Sequence, residues 1–136
     1  MSWNPKFDLD LKFGQAGEQW LRMLGTPDSG IRIEVKTERD QWATTGNVVF
    51  EYACRGKPSG VSTTEAEFWV QLLSKDGVVV GMMGWPTMQL KAFLRNVIKN
   101  PGAYGARIVN GGDDRASEMV VIPLAQMHKV NNTEIL

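Results

Sequence analysis

Alternation of apolar and polar residues marks two β-strands near the middle of the chain. In residues 31–36, Ile31, Ile33 and Val35 share one face, and Arg32, Glu34 and Lys36 share the other. In residues 48–53, Val48, Phe50 and Tyr52 alternate with Val49, Glu51 and Ala53. Joined as a hairpin through the polar loop between Glu38 and Asn47, with closure centred near Trp42 and Ala43, the two runs place Glu34 across from Glu51. Ile33 then faces Tyr52, and Val35 faces Phe50. One side of this predicted hairpin is apolar; the other carries two carboxylates and a lysine.

The remaining pattern predicts alternating helices and strands. Ala16, Trp20, Met23 and Leu24 form an apolar stripe at helical spacing over residues 14–24, ended by Gly25 and the turn at residues 26–30. Thr64 and Glu67 have capping-box spacing, predicting a helix to about Leu73 with Phe68 and Trp69 in the core. The apolar run at residues 78–85 predicts a buried strand. A helix capped by Thr87 follows, burying Leu90, Phe93, Leu94, Val97 and Ile98 and stopping at Asn100, Pro101 and Gly102. Two strands around Gly111, Gly112, Asp113 and Asp114 complete the chain as a hairpin, with the two acids as turn residues. The fold class is α/β.

Composition narrows the function classes. The 136 residues suffice for one domain with its own core, and 43% hydrophobic with 22% charged residues is the balance of a water-soluble domain. Fifteen basic and fifteen acidic residues cancel, so nucleic-acid binding would require cations gathered on one face. Cys54 is the only cysteine; it excludes an internal disulfide, suits a reducing compartment and reads as a small core residue. The first residues lack an apolar signal core and no run has membrane-spanning length, so the expected location is cytoplasmic. With His128 the sole histidine and outside any cluster, a Ser/His/Asp triad or a His/Cys zinc site has almost no support.

The acids carry the candidate chemistry. Two carboxylates facing each other across a sheet destabilise it by up to about 1 kcal/mol, unless a hard divalent cation between them reverses the sign. Lys36 would then lie beside the ion, where its ammonium orients or polarises a water. A solvated charged face with an ordinary Lys–Glu pair is the competing explanation. Glu18 suits either the helix dipole or a place facing the sheet. Asp28 suits an Asx turn; the six extended residues to Glu34 span about 20 Å, so it reaches the pair only if the chain folds back at Ser29 and Gly30. Arg55, Lys57, Ser59 and Gly60 form a compact basic loop, fit either for phosphate contact or for a plain connection.

The order of Glu18, Pro27-Asp28 and Glu34-Val35-Lys36, followed by a further strand and helix, resembles the PD-(D/E)xK nuclease superfamily. Residues 45–69 also resemble segments of small phage-encoded and bacterial members, and the likeness covers roughly residues 14–73. The resemblance implies a single nuclease-like domain over residues 1–136, with a restriction-endonuclease-like core: a mixed central β-sheet flanked by helices. It implies a Mg²⁺-dependent DNA endonuclease, with Mn²⁺ as a substitute ion, in which an Asp and a Glu bind the metal, the Lys positions the attacking water and the helix Glu assists. The gap from Asp28 to Glu34 is short for the family, and Glu51 is an extra acid. Two mappings therefore stand: Asp28 with Glu34, or Glu34 with Glu51; both keep Lys36. Arg55, Lys57, Ser59, Arg32 and Arg39 would contact the backbone of duplex, branched or flap DNA, with a homodimer for paired cuts and the host cytoplasm as location for a phage product. A non-catalytic module that keeps the fold and grips nucleic acid or protein is the second expectation, favoured by the balanced charge and opposed by the intact Glu-Val-Lys triplet.

Overall fold

A computed structural model of the protein describes residues 30–135. In chain order the elements are β1 (Ile33–Arg39), α1 (Gln41–Thr45), β2 (Asn47–Cys54), β3 (Lys57–Pro58), β4 (Phe68–Lys75), β5 (Val78–Pro86), α2 (Thr87–Lys99), β6 (Arg107–Gly111) and β7 (Ser117–Pro123). Short 3₁₀ turns occupy Gly60–Ser62, Pro101–Tyr104, Asp113–Arg115 and Leu124–Asn132. The strands form two sheets, a mixed one ordered β1-β4-β5 and an antiparallel one ordered β3-β2-β7-β6. Among the described residues two sheets and one long helix take the place of the expected single central sheet flanked by helices, while the α/β class stands. The helix predicted over residues 14–24 lies outside the described residues.

The predicted β1–β2 hairpin does not form. β1 lies parallel to β4, with Glu34 beside Trp69, whereas β2 pairs antiparallel with β7, with Glu51 opposite Met119. The cause lies in the connection. Asp40 (φ 37°), the single turn of α1 and Gly46 (φ 72°) redirect the chain instead of closing a two-stranded ribbon. The Asp40 amide and the Trp42 indole N–H both donate to the Ser74 carbonyl, at 3.0 and 2.7 Å, which fastens this connection to the end of β4.

Residues 68–75 form a strand rather than the predicted helix. Trp69 through Ser74 are all buried, which only a central strand covered on both faces can satisfy. The capping box is absent: the Thr64 hydroxyl accepts from Ala66 N–H at 3.3 Å, and the Glu67 carboxylate accepts from Arg32 N–H at 2.6 Å. β5 is a strand as predicted, but it lies at the edge of its sheet among the described residues, with Val78 and Val80 exposed.

α2 buries Leu90, Phe93, Leu94 and Val97 as its periodicity requires, with Ile98 packed beside them. Thr87 is its first residue and not its cap; its amide donates to Glu67 O at 2.9 Å. β6 and β7 form the predicted C-terminal hairpin, pairing Gly111 with Ser117. Phe50 anchors the core between the sheets, its ring centroid 6.4 Å from Trp69 and 6.3 Å from Trp85. Met127 and Val130 close that core from the C-terminal 3₁₀ turn. No helix among the described residues is long and apolar enough to cross a membrane.

Candidate functional site

β1 is organised by its alternation. Glu34, Lys36 and Glu38 share the face carrying Trp69, Gln71 and Leu73 of β4, of which Trp69 and Leu73 belong to the core. Glu34 Oε1 lies 3.4 Å from Lys36 Nζ, with both side chains about half exposed. An exposed pair of this kind contributes at most about 1 kcal/mol, so stability alone gives little reason for it. It does place a carboxylate and an ammonium together within reach of a solute.

Two residues on, the same face becomes a polar seam in which Gln71 and Trp69 are buried and Glu38 is partly buried. Glu38 Oε1 accepts from Val49 N–H at 2.7 Å and from Gln71 Nε2 at 2.8 Å. Gln71 Oε1 in turn accepts from the Trp69 indole N–H at 2.8 Å. These side chains stand where a neighbouring strand would satisfy the outer edge of β2, since β3 pairs only with Ala53 and Cys54. Burial raises the Glu38 pKa above the usual carboxylate value, against the opposing pull of the Val49 and Gln71 hydrogen bonds. Beyond Glu38 opens a cleft of about 670 Å³ lined by Arg39, Trp42, Asn47 and Arg107 among others. Sequence reasoning missed Glu38 by starting the loop there; one more step of the alternation joins it to Glu34 and Lys36.

The other predicted residues are dispersed. Glu51 is half-buried on β2 beside an irregularity in its pairing with β7. Arg32 is held by acids, 3.3 Å from Glu65 and 3.8 Å from Glu67, which lessens its fitness for phosphate. Arg55, with φ 51°, makes the tight turn into β3 and lies 3.9 Å from Asp114, while Lys57 is exposed on β3. Ser59 donates its amide to Tyr52 O at 3.1 Å, and its hydroxyl is buried without a partner. Arg39 lines the cleft beside Glu38. Glu18 and Asp28 lie outside the described residues. Cys54 is partly buried and a free thiol, and the exposed His128 ring faces Ala125 O through Nδ1 at 2.8 Å.

Among the described residues no three His, Cys, Asp or Glu side chains are grouped so that they could hold an ion. Beside Lys36 they bring one carboxylate, and the facing acid expected from the hairpin register is not across from it. These residues alone do not fit Mg²⁺ or Mn²⁺. Comparison of the chain with protein-family models, with curated proteins and with solved structures finds no match.

Proposed function

We propose that the protein is a DNA nuclease that hydrolyses phosphodiester bonds at Glu34 and Lys36. The observation that carries this is the Glu34–Lys36 contact at 3.4 Å on one face of a solvent-reachable strand. The residue order that resembles PD-(D/E)xK nucleases supports it. Lys36 is the group that offsets charge growing on a phosphate oxygen, and Glu34 accepts a hydrogen bond from the attacking water while holding the ammonium in place. A divalent ion, if used, requires a carboxylate beyond those grouped here; Asp28 and Glu51 are the two candidates. Its contribution when bound would be to acidify water and neutralise phosphate.

Nicking of supercoiled plasmid, followed with Mg²⁺, with Mn²⁺ and with EDTA, tests the proposal. Lys36→Ala is expected to lower the rate about a hundredfold, the scale seen when one preorganised charge-stabilising group is removed, with folding retained. Wild-type protein that leaves supercoiled, branched and flap substrates intact in every condition sinks it. Mn²⁺ binding read by electron paramagnetic resonance in Asp28→Asn and Glu51→Gln separates the two ligand mappings. The balance of fifteen basic against fifteen acidic residues favours a second reading, a non-catalytic module that keeps the fold and binds nucleic acid or protein. DNA binding that survives Lys36→Ala in a protein that never cleaves selects that reading.

A further inference from the structure

Charge neutrality hides an uneven distribution. Between Asp76 and Asp113 the chain has no acidic residue, yet it carries Lys91, Arg95, Lys99 and Arg107. Three of these follow one another at four-residue intervals along α2, about 6 Å apart and on one side of the helix. Lys91 is anchored to Thr64 O at 3.2 Å. The other two open into a cleft of about 580 Å³ between α2 and the C-terminal segment, where Lys129 joins them with Asn96, Asn132 and Thr133. Among the described residues no ion pair engages Arg95, Lys99 or Lys129, and Glu134 is the one acid on the cleft wall.

We infer that this cleft binds the phosphodiester backbone of DNA. The inference rests on the reading of nucleic acid as the partner and assigns a surface that the sequence-predicted contacts at Arg32, Arg39, Arg55 and Lys57 left out. Three cations with the Asn96 and Asn132 amides around them are a phosphate-binding set, while the Thr133 hydroxyl is committed to the Lys129 carbonyl at 2.9 Å. Within the cleft Arg95 and Lys99 stand about 6 Å apart along α2, the rise of about two phosphates along one strand. Base stacking is not the grip. Of the two aromatic rings on the wall, Phe93 is buried in the core, and Tyr104 already meets it edge-on at 5.6 Å and carries Lys129 Nζ 5.5 Å from its centroid. Recognition here is therefore of backbone charge and not of sequence.

Fluorescence anisotropy with labelled duplex and single-stranded oligonucleotides in EDTA, over a salt series, tests this without cleavage. Combining Arg95→Gln, Lys99→Gln and Lys129→Gln is expected to weaken binding about tenfold or more and to lower the salt-dependence slope by about two to three. Circular dichroism checks folding; if the triple variant unfolds, each single substitution is expected to lower the slope by about 0.9. Variants that bind as wild type does, with the slope unchanged, overturn the cleft assignment and leave the nuclease proposal standing. Wild-type protein that binds neither oligonucleotide at low salt overturns both, as does binding to phosphatidylserine vesicles in place of DNA.

Discussion

Replacing Glu38 with alanine is expected to lower the unfolding free energy by about 3 kcal/mol, because the Val49 N–H and the Gln71 amide each lose their acceptor. Denaturant midpoints at constant m-value measure this. Glu38→Gln retains a carbonyl oxygen at the same place and is expected to stay close to wild type. The two forms should part company in their pH dependence. Burial holds the Glu38 pKa in the folded state above its value in the unfolded chain, so the folded state binds more protons between the two values. Stability conferred by the protonated form is therefore complete below the unfolded value of about 4.3 and declines as pH rises through the elevated folded one. Glu38→Gln should lack that decline. A wild-type profile in which stability instead rises through this window would show that the hydrogen bonds from Val49 and Gln71 outweigh burial.

Gly60→Ala is expected to cost about 3–4 kcal/mol. Gly60 has φ +54°, and a Cβ there would collide with the carbonyl oxygen of Glu51, with its carbonyl carbon 3.0 Å away. The left-handed backbone accounts for about 1 kcal/mol and the overlap for the rest, since strand backbone cannot give way as a flexible side chain can. The Gly60–Ser62 turn also presses Val61 into the core, so displacing it opens that packing. Gly77→Ala is the matched control. Its φ of +80° is equally left-handed, but open space surrounds the added methyl, and a loss near 1 kcal/mol is expected. Equal losses at the two positions in urea titrations would remove the collision from the account.

What was legible in the chain depended on whether the deciding forces were local. α2 was readable because Leu90, Phe93, Leu94 and Val97 repeat with the helical period against one core face. The β6–β7 hairpin was readable from its glycine-aspartate turn. β4 was misread because Thr64 and Glu67 imitate a helix start, while the burial of Trp69 to Ser74 on both faces is a tertiary property. The same holds for the site. The Glu34–Lys36 contact follows from period-two alternation on one strand. Pairing Glu34 with Glu51 assumed that consecutive strands are neighbours, and the redirection at Asp40, α1 and Gly46 sends them to different sheets. Glu38 escaped notice because its role depends on Val49 and Gln71, eleven and thirty-three residues away.

The Glu38–Gln71 seam also has a bearing on self-association. Strand margins with free amide and carbonyl groups recruit strands from other molecules, the usual first step toward cross-β aggregates. At Val49 that margin is already occupied by side chains, with the amide given to Glu38 and the carbonyl 3.5 Å from Gln71 Nε2. The seam thus serves as a gatekeeper, denying β2 a foreign partner along the part that β3 is too short to shield.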